Sequence, residues 1–468
     1  MAKRKSNTTA NKAARAAEKA AKKNPKIFLA VVAIILVIAI VAGVCWYFFV
    51  YKKQADDSAG TGGDDTTQVG GDDKDGNDDD GKGDDGDDDG QGNGDDGNGD
   101  GDGDNDGDDS SIGVGNLADI SSADLSIHFL ELGVSNAGDC VLIKVGNTEV
   151  LIDAGAKSKT APTQAMLDYV ATYCTDGVLE YVIATHAHED HIAGLVGQEK
   201  GNTRTGFLYQ YQIGTIIQFA KSGSSSQIYQ NYKAAVEYCK EKGTKVYSAL
   251  ECVKEQNGAK ATYYLDEAQT ISLNVLYQKY YETSNSKENN YSVCTLLTQN
   301  LGKTSNHYLF TGDLEKAGEE SLVQSNPDLP HCVLFKGGHH GSSTSSNDVL
   351  LDKITPENIA ICTCAGTYEY ADKPTAENPN TYLNTFPTQE AIDRMSKHTK
   401  NIYVTTLGIL KADYSTQGFT SMNGNIVFYY GKGEEESEKS LKLWCSNNTT
   451  VLKDTEWFKT NRTWNGVE

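Results

Sequence analysis

The chain has 468 residues and a formal charge of −23, and 38% of its residues are hydrophobic. That charge is localised: residues 1–26 sum to +8, residues 61–110 to −19, and the stretch from Ser111 onward to −12. The length admits two or three domains, and the acidic remainder excludes a broadly basic nucleic-acid-binding face.

Residues 1–26 form a basic tail, read as an orientation signal rather than a nucleic-acid arm. Residues 27–50 carry no charge. At about 1.5 Å per residue they reach ~36 Å, enough for a hydrocarbon core of ~30 Å. The small residues Ala42 to Cys45 run straight into Trp46, Tyr47, Phe48 and Phe49, so the segment reads as a single-pass membrane helix and not as a cleaved signal. Nine Lys/Arg before it, against Lys52 and Lys53 after it, predict a cytoplasmic N-terminus and an extracellular remainder. Residues 51–110 are dominated by Asp and Gly and predict a disordered linker extended by its own charge. Within it, Asp102 to Gly107 imitates the opening of a calcium loop, but Gly113 stands where such a loop needs Glu, so it reads as spacer.

A folded domain is expected over 111–432, with 433–468 a C-terminal extension of no assigned role. Short strands are predicted at 127–130, 140–145, 149–153 and 179–185, then at 213–219, 271–277, 291–298, 307–311, 331–335, 358–364, 401–405 and 425–430. Helices are predicted at 166–174, 229–242, 314–324 and 388–398. The alternation predicts an α/β domain with helices covering packed sheets. Of ten cysteines, Cys45 lies in the apolar run and nine remain, an odd number set mostly in apolar stretches. They read as core residues rather than a disulfide framework, a usage that suits a weakly oxidising niche.

Thr185-His186-Ala187-His188-Glu189-Asp190-His191 closes the strand at 179–185. His186 and His188 share a face in extended backbone, and Asp190 and His191 follow in the turn. Imidazole with carboxylate suits a divalent cation such as zinc, manganese or iron. Four ligand side chains crowd one ion, so His186 and His188 are assigned to one cation, Asp190 and His191 to another. Asp313 ends a strand, where its carboxylate could bridge two cations or cap the next helix. His339 and His340 sit in a glycine turn, Gly337-Gly338-His339-His340-Gly341. Asp153 reads as a residue that orients a ligand histidine, or as a turn former beside Gly155.

Together these segments resemble the metallo-β-lactamase superfamily from about Leu125 to Tyr430, and within it the hydrolase domain of ComEC-type DNA-uptake proteins and their stand-alone surface relatives. The resemblance rests on His186-Ala187-His188-Glu189-Asp190-His191, Leu151-Ile152-Asp153-Ala154-Gly155, Gly312-Asp313 and His339-His340-Gly341-Ser342, with Gly138-Asp139-Cys140 and Asn289-Asn290-Tyr291-Ser292 in support. It implies an αββα four-layer sandwich and two divalent ions, zinc or alternatively manganese. The implied ligands are His186, His188, Asp190, His191, Asp313 and one of His339 and His340. His339 is the favoured ligand, which leaves His340 to donate a proton or touch substrate. Asp190 is expected to steer the attacking water as well. Lys336 is read either as a phosphate contact or as a solvated strand-end lysine. A further ligand histidine found in many members has no match here, and Asn290 or water takes its place. A His-Pro element of the family is Phe386-Pro387 in this chain. The expected function is a membrane-anchored extracellular phosphodiesterase or nuclease acting on nucleic acid or a cell-wall phosphodiester. The alternatives are hydrolysis of cell-wall or small-molecule esters, lactams included, and a catalytically weak surface-binding module.

Overall fold

A computed structural model describes residues 112–155, 161–200, 203–368, 385–411, 416–431 and 440–468. The basic tail, the apolar run at 27–50 and the acidic linker lie outside the described residues. Among the described residues no helix is long and apolar enough to cross a membrane.

Nineteen strands are described. In chain order the first nine are β1 Gly113–Val114, β2 Leu125–Phe129, β3 Val141–Val145, β4 Thr148–Ile152, β5 Val178–Ala184, β6 Glu199–Lys200, β7 Thr203–Arg204, β8 Gln212–Gln218 and β9 Lys245–Ser248. The rest are β10 Thr262–Tyr264, β11 Ile271–Leu276, β12 Cys294–Asn300, β13 Ser305–Phe310, β14 Leu334–Lys336, β15 Ile359–Ala365, β16 Ile402–Leu410, β17 Thr416–Ser421, β18 Ile426–Tyr430 and β19 Leu441–Cys445. One sheet has the order β1-β19-β18-β2-β3-β4-β5-β8-β9, the other β10-β11-β12-β13-β14-β15-β16-β17. β4, β5, β8 and β9 run parallel, as do β13, β14, β15 and β16. The helices used below are α1 Ala161–Tyr173, α2 Glu189–Val196, α3 Gln227–Glu241, α4 Lys316–Ser325, α5 Asp348–Ile354, α6 Gln389–Met395 and α7 Glu456–Asn461.

The alternation of strand side chains decides the layering. In β13, Tyr308 and Phe310 point into a core shared with Ile127, Ile143 and Ile183 of the first sheet. Leu309 points the other way and packs with Leu322 of α4, Leu350 of α5 and Met395 of α6. Phe129 stacks on Phe310 with ring centroids 6.4 Å apart, which joins the two sheets directly. On the outer side of the first sheet, Met166 and Val170 of α1, Ile192 and Leu195 of α2 and Val236 of α3 complete the core. The fold is therefore a mixed α/β architecture of two packed sheets faced by helices. β5 and β15 read as nearly unbroken apolar runs because parallel strands are covered on both faces.

The segment after 432 is part of this fold and not an appendage. β19 pairs antiparallel with β18 and parallel with β1. Leu452 and Phe458 lie in the same core cluster as α6. The nine cysteines among the described residues are all free and buried, as expected of core residues.

Candidate metal centre

The carboxyl ends of the parallel strands of both sheets deliver the ligand-type residues to one place. β5 ends at Ala184, and Thr185 to Asp190 turn into α2. His188 is the N-cap of α2, with Glu189 and Asp190 in its first turn. From the other sheet, β13 leads to Asp313 and β14 to the turn with His339 and His340. Glycines set how close these turns come. A Cβ on Gly155 would meet the Asp190 backbone at 2.2 Å, and Gly312 has φ +56 against Thr185. His339 and His340 themselves have φ of 48 and 56, the left-handed region that costs non-glycine residues of order 1–3 kcal/mol each. Local bonds hold that strain: Gly338 N donates to Ser346 Oγ at 3.0 Å, and Ser342 N to the His339 carbonyl at 2.8 Å.

Asp313 Oδ2 is the meeting point. His191 Nε2 lies 3.0 Å from it, His340 Nε2 3.4 Å, His339 Nε2 3.7 Å and His186 Nε2 3.9 Å. Three groups have donor atoms all within 4.8 Å of one another and share His191: His186, His191 and Asp313; Asp190, His191 and His340; and Asp139, Asp153 and His191. His188 joins through His186, its Nδ1 standing 3.0 Å from His186 Nε2. Asp153 orients His191, whose Nδ1 donates to its Oδ2 at 2.8 Å. Asp153 is held in turn by Thr185, whose N and Oγ1 donate to it at 2.8 and 2.6 Å.

Charge explains the protonation pattern. Burial, reinforced by His191, drives His186 well below the ordinary histidine value. His188 is lowered by burial too, against the pull of Asp190 and Asp313. Burial would also lower His191, but Asp313 and Asp153 outweigh it and raise the value well above normal. His340 follows the same logic and rises to about 10 beside Asp313 and Asp139. Burial disfavours the Asp313 carboxylate, yet His191, His340 and His339 hold it well below the usual range.

The structure gives three expectations a particular geometry. His340 Nε2 stands 3.4 Å from Asp313 Oδ2, and Nε2 of His339, the histidine favoured as ligand from the sequence, 3.7 Å. His340 Nδ1 lies 2.9 Å from the Cys362 carbonyl and its buried Nε2 has no hydrogen bond. His339 sits nearer the rim and its Nδ1 is 2.9 Å from the Thr344 hydroxyl. Lys336, expected as a phosphate contact or a solvated strand-end lysine, is not solvated. It is 2% exposed, its Nζ is 2.6 Å from Asp139 Oδ2, and it donates to the carbonyls of Gly312 and Gly337. Asn290 does not reach the ligands, because its Oδ1 accepts from the backbone N of Glu315 and Gly318 at the start of α4. Its neighbour Asn289 turns inward instead, with Nδ2 3.3 Å from His339 Nε2.

The sequence assigns Asp139 no role beyond its place in Gly138-Asp139-Cys140. In the fold Asp139 is buried, with Oδ1 3.2 Å from His340 Nδ1 and Oδ2 3.7 Å from His191 Nδ1. Phe386 packs its ring against His340 with centroids 5.8 Å apart. Beside His339 opens a cleft of about 420 Å³ whose lining includes Lys287, Lys316, Glu315, Glu320, Ser343 and Thr344.

Residues 135–197 match the sequence model of the metallo-beta-lactamase superfamily. Over 49 residues the chain is 47% identical to the competence protein ComA of Neisseria gonorrhoeae, a match that spans 10% of this chain and 7% of that protein. Among solved structures, the metallo-beta-lactamase fold protein YhfI of Bacillus subtilis superposes over 63% of this chain and 98% of its own, at 12% identity and a TM-score of 0.31. A metallo-beta-lactamase from Cronobacter sakazakii superposes over 44% of this chain and 74% of its own, at 15% identity and a TM-score of 0.25.

Proposed function

We propose that this chain, which carries a metallo-beta-lactamase domain, is a metal-dependent hydrolase that cleaves phosphodiesters with two divalent cations, zinc or manganese. The observation that carries this reading is the convergence of His186, His191 and Asp313 with Asp190 and His340 from two different sheets. The donor set fits divalent cations: Asp313 Oδ1 and His340 Nε2 are buried without a hydrogen bond. The charge fits as well. Asp139, Asp153, Asp190 and Asp313 are buried together with one ammonium, that of Lys336. In the metal-free fold protons on His191 and His340 offset this negative charge, and divalent cations would take the place of those protons.

His186, His188 and Asp313 would hold one ion, and Asp190, His191, His340 and Asp313 the other. When bound, the ions would lower the pKa of water to near neutrality and stabilise the negative charge that builds on substrate. The protein's own part is to aim the donors. Asp153 fixes His191 by accepting from Nδ1, so Nε2 faces the Asp313 carboxylate. Ser292 Oγ accepts from the Asp313 backbone N and lies 3.4 Å from His186 Nδ1, tying two ligand segments together. The more open side is the rim by His188 and His339, next to a cleft in which Lys287 and Lys316 are balanced by Glu315 and Glu320, so its charge does not select the sign of the substrate.

The choice of phosphodiester is supported by the His339-His340-Gly341-Ser342 turn and by the short match to a competence protein. We further propose that residues 27–50 anchor the chain with its N-terminus in the cytoplasm and the domain outside, supported by the uncharged run and the Lys/Arg bias. The full chain is to be assayed for bound metal and offered bis-p-nitrophenyl phosphate, single-stranded DNA and nitrocefin. We expect about two equivalents of metal, phosphodiester cleavage, and loss of activity in Asp313→Ala and His188→Ala. Absence of bound metal sinks the hydrolase reading, and cleavage of nitrocefin alone sinks the phosphodiester one. Protease added to intact cells should release the domain, and protection would reverse the orientation.

A further inference from the structure

Asp139 touches three segments that carry the site. Its backbone N donates to the Asp190 carbonyl at 3.0 Å, and its own carbonyl accepts from Gly155 N at 3.0 Å. Its side chain stands between His340 Nδ1 at 3.2 Å and Lys336 Nζ at 2.6 Å. Lys336 approaches as an ion pair, off the direction a hydrogen bond prefers, and its remaining donors go to the Gly312 and Gly337 carbonyls. Those two glycines immediately precede Asp313 and the turn with His339 and His340. The pair is therefore fastened to both ligand-bearing turns of the second sheet and, through Asp139, to those of the first.

A carboxylate in this position presents a difficulty. Asp139, Asp313 and His340 have donor atoms all within 4.8 Å of one another, close enough to capture a cation away from the Asp190 and His191 side. The Lys336 ammonium removes that option, because it already neutralises Asp139. What remains to Asp139 is to face the Nδ1–H of His340 jointly with the Cys362 carbonyl. The Cys362 carbonyl accepts from Nδ1 and selects the tautomer whose Nε2 lone pair points toward Asp190 and Asp313, and Asp139 Oδ1, 3.2 Å away and not itself hydrogen-bonded, adds its charge on the same side.

We propose that Asp139 and Lys336 are positioning residues: a buried ion pair that aims His340 at the second cation and, by its own neutrality, keeps Asp139 out of the ligand set. The proposal rests on the two-cation reading above. It assigns Lys336 no contact with substrate.

The test is stepwise zinc binding to the full chain in detergent, read by competition with a chromophoric chelator, for the parent, Lys336→Met, Asp139→Asn and the double variant. Thermal melts in chelator report the fold of each. Partners behind a metal ligand are worth about 10–100-fold in metal affinity. Lys336→Met is expected to weaken the second binding step by that factor and leave the first unchanged. The double variant is expected to bind better than Lys336→Met, because no freed carboxylate competes with Asp190 and His191 for the second cation. If Lys336→Met does not fold, Asp139→Asn carries the test alone: it is expected to weaken the second step by the same factor and to leave the first unchanged. Parental affinity in the single variants, equal weakening of both steps, or losses that simply add in the double variant would overturn the proposal. A parent chain that takes up no zinc overturns the hydrolase reading itself.

Discussion

His340 Nδ1 faces the Cys362 carbonyl and Asp139, whereas the Nδ1 of His339 meets the Thr344 hydroxyl. A backbone carbonyl and a carboxylate fix an imidazole more firmly than a hydroxyl that can rotate. His340→Ala is therefore expected to lose one equivalent of metal after dialysis and to lower kcat/KM more than ~100-fold, beyond what an outer partner is worth. His339→Ala should keep both equivalents. Elemental analysis decides the matter, and equal metal loss in the two variants would restore His339 as the ligand. At this scale the sequence displayed the chemistry of most ligands but not their partners. Three histidines and an aspartate within six positions announce a cation. Nothing local in Asp139 or Lys336 reveals an ion pair that only the stacking of two sheets creates. Asn289 and Asn290 are equally polar neighbours, and the short 3-10 turn at 288–291 decides which of them faces the site.

The loop after His340 is gripped from two sides. Glu319 of α4 accepts from the backbone N of Ser346 and Asn347, while Arg394 of α6 donates to the carbonyls of Ser343, Ser345 and Ser346. Ser346 in turn holds Gly338, so the two helices support the turn with His339 and His340 at one remove. Burial raises the Glu319 carboxyl to about 7, although Asn347, Ser346 and Arg394 favour its charged form. The folded state thus keeps this proton over a window from the ordinary value of 4.5 to about 7. A raised folded pKa gives stability that is present below the ordinary value and lost as pH rises through the folded one. The metal-free parent should show a falling contribution to Tm between pH 4.5 and about 7, and Glu319→Gln should flatten it. Parallel slopes in the two melting series would refute the assignment. Elements with strong alternation or long apolar runs, such as β5, β13 and β15, were legible in advance. β9, β10, β17 and β19 were not, because short strands at or near a sheet edge need little hydrophobic pattern.

The two ends of the domain meet in one sheet, since β1 and β18 both pair with β19. Removing residues 432–468 would expose the full edge of β18 and strip Leu443, Leu452 and Phe458 from buried positions. At roughly 1.5–3 kcal/mol for each such side chain, the loss consumes much of a typical stability of about 5–15 kcal/mol. A chain stopped after Gly431 is expected to be insoluble or to melt at least 10 °C lower (on the order of 4–8 °C per kcal/mol in small domains, less in large ones). An unchanged melting curve would show the last strand to be dispensable. The sequence hid this integration because the Glu434-Glu435-Glu436 patch resembles a boundary, while the pairing partners of β19 lie far back along the chain. The buried cysteines carry a consequence of another kind. Burial pushes the Cys239 and Cys252 thiols up to about 11, so only about one in ten thousand is ionised at neutral pH. The thiolate is the form that oxidants attack. The described fold therefore keeps one covalent structure in reducing and oxidising surroundings alike. It can be made on one side of a redox boundary and serve on the other with no oxidative maturation step.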